Sequence, residues 1–162
     1  MMWGMDISST ADFAADPQTV MEMLTTKEFL EEVSRAAGAS DIEVTVDGDT
    51  TINQRALPAP DQIAKFTGPK ITVVEQIAWG PAAGDGSRDG AVTLTVPGQP
   101  VKMTGTAALA PGGRGSTIDI SGELKVNIPL LGKTIEKSTA PAILEAIEIQ
   151  QQVGDKWLAE RA

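Results

Sequence analysis

The chain has no cysteine, no histidine and no tyrosine among its 162 residues. Without cysteine there are no disulfides, no thiolate metal sites and no cysteine nucleophile. Without histidine, the commonest metal ligand and the commonest general base near neutral pH are both missing. A serine triad in its usual form cannot be assembled. No stretch reaches the roughly eighteen apolar residues of a membrane span. The opening Met1-Met2-Trp3-Gly4-Met5-Asp6 has no basic start followed by an apolar run, unlike a signal peptide. The length suits one domain over residues 1–162. These absences lead to the expectation of a cytoplasmic protein with no cofactor and no metal.

What is present in excess is acid, and it is unevenly placed. Residues 1–49 hold eleven Asp or Glu against only Lys27 and Arg35, which accounts for the whole net charge of −9. Binding to nucleic acid or an anionic membrane needs clustered Lys or Arg, so the balance disfavours both. The acidic residues read as a solvated helix face. A basic partner protein is the alternative.

The order of elements follows from periodicity and turn residues. Met5 to Ala15 alternates as a strand, with Ile7, Ser9, Ala11 and Phe13 on one side. Asp16-Pro17 caps and opens a helix, which Thr25-Thr26 divides and Ala37-Gly38 ends. Ile42, Val44 and Val46 lead into the Asp47-Gly48-Asp49 hairpin, and Thr50 to Leu57 returns. Pro58 and Pro60 stop that strand, and Asp61 to Phe66 forms a short helical turn. Strands are expected over 70–79, 91–96, 101–110 and 116–128, with turns at Pro97-Gly98 and Pro111-Gly112-Gly113. One amphipathic helix then runs from Lys133 to Arg161, about 40 Å at ~1.5 Å per residue. Ile135, Thr139, Ile143, Ala146, Ile147, Gln150, Val153, Trp157 and Leu158 form its inner stripe. Glu136, Glu145, Glu148, Gln152 and Asp155 face mostly outward. Trp157 is expected to pin this helix onto the sheet. The fold class is α+β, a seven-stranded antiparallel meander with helices after its first and last strands.

Three local patterns imitate known sites and fail on single positions. Gly132-Lys133-Thr134 looks like the end of a phosphate-binding loop, but Asn127 stands where that motif needs glycine. Asp85 to Gly90 spaces its oxygens like a calcium loop, but the position of the bidentate Glu is Val96. Gly112-Gly113-Arg114-Gly115 has no helix after it and reads as a hairpin tip rather than a dinucleotide fingerprint.

Two polar residues interrupt apolar faces. Glu75 is in phase with Ile71, Val73, Ile77 and Trp79, so alternation turns it inward. A buried carboxylate must be paired, hydrogen-bonded or protonated. Glu75 therefore either meets Arg55 on a neighbouring strand, lies near a strand end in water, or serves a ligand. Gln150 interrupts the inner stripe of the last helix in the same way.

With strand, helix pair, six strands and long helix in that order, the chain resembles the START-like, helix-grip superfamily. That superfamily includes lipid-transfer domains, polyketide cyclases and the birch pollen allergen. Ala11-Asp12-Phe13-Ala14-Ala15-Asp16-Pro17, Asn127-Ile128-Pro129-Leu130-Leu131-Gly132-Lys133 and Ile135-Glu136-Lys137 resemble a bacterial family of unknown function within it. The resemblance implies a single START-like domain, a curved sheet wrapped around the last helix, and a hydrophobic cavity between them. It carries over no catalytic residue. The histidines and aromatic clusters of some enzymatic members are absent here.

The leading expectation is a non-catalytic binding protein for a hydrophobic or amphipathic small molecule, such as a lipid or polyketide-like compound. Phe13, Val73, Ile77, Leu94, Met103, Ile118, Ile120, Ile143, Ala146 and Ile147 would line the site, with Glu75 or Gln150 at a polar end. A carboxylate-dependent cyclase or hydratase would use Glu75 as base and Arg55 as an anion contact. An interaction module would use the acidic N-terminal region beside Glu28, Glu31 and Glu32. The assembly state is open between monomer and homodimer.

Overall fold

The computed structural model describes residues 4–161, apart from the side chains of Gln62, Ile63 and Phe66. Trp3 lies outside the described residues. Period-two alternation produces seven strands: β1 (Met5–Phe13), β2 (Ser40–Asp47), β3 (Thr50–Pro58), β4 (Lys70–Trp79), β5 (Arg88–Thr95), β6 (Val101–Gly112) and β7 (Gly115–Val126). They pair antiparallel in one sheet of order β1-β7-β6-β5-β4-β3-β2. Strands β2 to β7 follow one another as a meander, and β1 closes onto β7. β5 begins at Arg88, earlier than its alternation suggests, because the Arg88 guanidinium ties to the Gly80 carbonyl and to Asp49. The Asp85 carboxylate accepts from the Ser87 backbone N–H at 2.9 Å, closing a surface turn. Hydrogen bonds from the Ser87 side chain and backbone hold the Asp85 carboxyl below its usual range.

Helices α1 (Pro17–Leu24) and α2 (Lys27–Ala36) follow β1 as a pair, divided at Thr25-Thr26. Asp16 caps α1 by accepting from Thr19 N–H, and Pro17 occupies the first turn. Short helix α3 (Asp61–Thr67) joins β3 to β4, and α4 (Gly132–Arg161) ends the chain with 30 residues, about 45 Å. No helix among the described residues is long and apolar enough to cross a membrane.

The main core joins Val20, Met23 and Leu24 of α1 and Phe29 of α2 to Phe13, Leu109 and Ile118 of the sheet. A second cluster, Ile7, Met103, Leu124 and Ala140, lies under the first half of α4. Gly105 and Gly122 face each other across β6 and β7. A Cβ at Gly122 would come within 2.7 Å of the Thr104 carbonyl oxygen. The two strands therefore approach there more closely than any other residue pair permits, which suits the curvature of the sheet.

One expectation is corrected. Glu136 does not face outward: it is 4% exposed, and its Oε2 accepts from Val126 N–H at 2.9 Å. The first turns of α4 sit down on the end of β7, so the buried arc there is wider than a single stripe. Trp157 belongs to the main core cluster with Phe13, Leu109 and Ile118 of the sheet, and its ring also packs edge-on against Phe29 of α2, at 5.5 Å and 74°. The Arg161 guanidinium stacks on the outer face of that ring at 3.3 Å.

Candidate functional site

The burial of α4 is divided along its length. Its buried residues are Gly132, Ile135, Glu136 and Ala140 at one end and Gly154 and Trp157 at the other. Glu136 fixes the first end to Val126, as above. At the other end, Arg114 on the β6–β7 hairpin ties β1 to α4, bonding Asp12 at 2.7 Å and Asp155 at 2.8 Å. Those two carboxylates raise the Arg114 pKa above its ordinary value, chiefly through the Asp12 hydrogen bond. Between the clamps, Ile143, Ala146, Ile147 and Gln150 are only half-buried. All four border a cavity, and Ile143 also packs against the Met103–Leu124 cluster.

That cavity measures about 200 Å³ and lies between the middle of α4, the inner face of the sheet and α2. It exceeds by far what a single water needs. Its walls are dominated by Leu57, Ile71, Val73 and Ile77 from β3 and β4, Val92 and Leu94 from β5, and Met103, Ile118 and Ile120 from β6 and β7. Pro58, Pro60 and Thr67 around α3, and Gln99 and Ile128 at the strand ends, complete the lining.

Polar groups concentrate on one side. Alternation along β3 turns Thr51, Asn53 and Arg55 onto the cavity face, and Glu75 on β4 lies directly opposite Asn53. Arg55 Nη1 donates to Glu75 Oε1 at 3.3 Å and to the Asn53 carbonyl at 3.1 Å. The two side chains are 11% and 28% exposed, so the pair is held at the wall with Glu75 partly open. Deeper in, Ser34 on α2 and Asn53 bond reciprocally at 2.9 and 3.2 Å. The cavity thus offers an apolar body and a neutral, paired polar patch. Such a patch can orient a hydroxyl, carbonyl or carboxyl group. Trp79 also borders the cavity, but its Nε1–H is sealed among its neighbours without an acceptor, so it presents no donor to the interior.

Of the residues expected at a site, Val73, Glu75, Ile77, Leu94, Met103, Ile118, Ile120, Ile143, Ala146, Ile147 and Gln150 border this one cavity. Phe13 does not: it is fully buried in the core, beneath Gly154 and beside Met23. Ser34, Thr51 and Asn53 are additions. The signal for Thr51 and Asn53 was the alternation of β3, which places them on one face with Arg55. Among the described residues, no group of three or more carboxylates lies close enough together to hold a metal ion.

A curved antiparallel sheet gripping a long C-terminal helix over a cavity defines the START-like helix-grip fold. Within it, the chain belongs to the family described as protein of unknown function DUF2505, whose model matches residues 8–158. Solved structures agree on the fold. TTHA0849 from Thermus thermophilus is 16% identical, with 98% of this chain and 99% of that chain covered and a TM-score of 0.67. A STAR-related lipid transfer protein fragment from Xanthomonas axonopodis is 14% identical, covering 94% and 84%, with a TM-score of 0.63. The di-domain ARO/CYC StfQ of the steffimycin biosynthetic pathway is 14% identical with a TM-score of 0.67, covering 96% of this chain and 51% of that one. No curated protein matches the chain.

Proposed function

We propose that this protein is a non-catalytic binder of a small molecule with an apolar body and one polar end, of lipid or polyketide-like character. The observation that carries the reading is the divided helix. α4 is clamped at both ends, while its half-buried middle residues border about 200 Å³ of apolar-lined space. An unfilled core of that size costs stability, because lining atoms lose their van der Waals partners. A bound apolar molecule restores those contacts. The Arg55–Glu75 pair and the Ser34–Asn53 pair supply the polar end. The structural neighbours named for lipid transfer and for an aromatase/cyclase pathway support a hydrophobic ligand class.

An enzymatic reading rests on Glu75, which borders the cavity with part of its carboxylate open. Its oxygen is already engaged by Arg55, and no second acid or base stands beside it among the described residues. Binding is therefore the better supported function. The experiment is uptake of a fluorescent apolar probe, with native mass spectrometry of freshly purified protein. Ala146→Phe should fill the cavity and reduce probe affinity at least about tenfold, while Glu75→Gln, which alters only the polar end, should cost a purely apolar probe little. A folded wild type that takes up no probe and carries no extractable molecule rejects the reading. Turnover of a bound molecule that Glu75→Gln abolishes would favour the enzyme.

A further inference from the structure

Acidic residues are concentrated in the first 49 positions, and four lysines gather at one end of the sheet. The acidic helix α2 packs where Phe29 meets Trp157, and Lys133 lies 24 positions earlier on α4, roughly 36 Å away at the helical rise. At that far end, four exposed lysines surround the β7–α4 connection. Lys102 and Lys125 stand opposite each other on β6 and β7, and Lys133 and Lys137 occupy successive turns of α4. None of the four forms an ion pair among the described residues. Between Lys125 and Leu144 the chain has one carboxylate, Glu136, and it is turned inward onto Val126. Glu123, between Thr104 on β6 and Asp6 on β1, and Asp6 itself are exposed acids on the sheet beside Lys102 and Lys125.

At the centre of these lysines the connection presents leucines to solvent. Leu130 is fully exposed and holds a left-handed backbone with φ of 68°, a conformation that a bulky residue rarely adopts. Leu131 is 40% exposed, and so is Leu144 on α4. These three are the exposed large hydrophobic residues among those described. The backbone bends so as to push Leu130 outward rather than tuck it into the adjoining second half of the core. Ile128 on one side of this tip and Thr139 on the other both border the cavity, so the tip forms part of its rim.

We propose that this tip docks on an anionic lipid surface. Leu130 and Leu131 enter the boundary of the acyl chains, and Lys102, Lys125, Lys133 and Lys137 meet the headgroups. Exposed leucines ringed by lysines fit such an interface, where apolar burial and charge act together. The overall charge of −9 does not oppose it, because the acids of α2 lie several Debye lengths away at ordinary salt and the four lysines outnumber Asp6 and Glu123 beside them. The surface exists whatever occupies the cavity, so this inference stands or falls apart from the ligand.

The test is co-sedimentation of the full chain with vesicles of phosphatidylcholine containing phosphatidylglycerol, and with vesicles of phosphatidylcholine alone. The expected result is binding to the anionic vesicles that weakens as salt rises. Leu130→Asp should lower it about tenfold, and Lys133→Glu about fivefold or more. Both positions are exposed, so unchanged melting temperatures should accompany these losses. No binding to anionic vesicles, or binding indifferent to both substitutions, overturns the proposal. A concentration-dependent dimer that Leu130→Asp dissolves, without vesicle binding, would make a second copy the occupant and would equally overturn it.

Discussion

Glu136 is the residue whose role is hardest to guess and easiest to test. Its carboxylate is buried because it serves the N–H of Val126, the last residue of β7. Removing the acceptor leaves that donor unsatisfied, which costs about 1–3 kcal/mol. Glu136→Ala is therefore expected to lower the unfolding free energy from urea titration by that much. Glu136→Gln keeps an acceptor oxygen and should lose less, since it forfeits only the charge assistance of the bond. A loss under about 0.5 kcal/mol for Glu136→Ala would match an ordinary surface position and refute the role. Periodicity misplaced this residue because it assumed one inner stripe. Gly132, Glu136 and Ala140 form a second inner row, spaced four apart, and two of its three members are too small to signal burial. Glu75 was legible because it shares its phase with four apolar neighbours on β4. Asn53 was less so, because Ile52 and Ala56 make the opposite face of β3 look equally apolar.

At the scale of elements, α4 shows why periodicity recovers a fold more readily than a cavity. Its stripe from Ile135 to Leu158 was readable, as were the Asp16-Pro17 helix start and the strand alternation. The same stripe reads identically whether its middle meets side chains or empty space, so the cavity appeared only in three dimensions. The clamp at Gly154 was likewise silent. α4 crosses β1 there so closely that a Cβ would overlap the Phe13 ring and reach within 3.2 Å of Met23 Cε. Gly154→Ala sets two effects against each other. Helix propensity gains about 1 kcal/mol. Overpacking against a fully buried ring costs about 1–3 kcal/mol and forces the helix off the sheet. The clash should win, so a lowered melting temperature is expected, together with weaker probe binding as the roof of the cavity shifts. A stabilised variant would show that α4 is free to lift at this end.

For the whole molecule, the separation of charge gives salt two opposite effects. Eleven acids crowd the first 49 residues, and among the described residues only Asp12 and Asp49 of these are ion-paired. Repulsion within that region destabilises the folded chain at low ionic strength, and salt screens it. The same salt weakens the exposed ion pairs, but each of those is worth only about 0–1 kcal/mol. Repulsion is the larger effect in a chain of net charge −9. Raising ionic strength from very low to physiological should therefore raise the melting temperature, by about 2–4 °C per kcal/mol relieved. At the basic tip the sign reverses, because the same screening removes attraction to anionic lipid. A thermal melt and a vesicle titration over one salt series should thus move in opposite directions. If the melting temperature fell with salt, the ion pairs would outweigh the repulsion, and the acidic region would have to be held by contacts stronger than its exposure suggests.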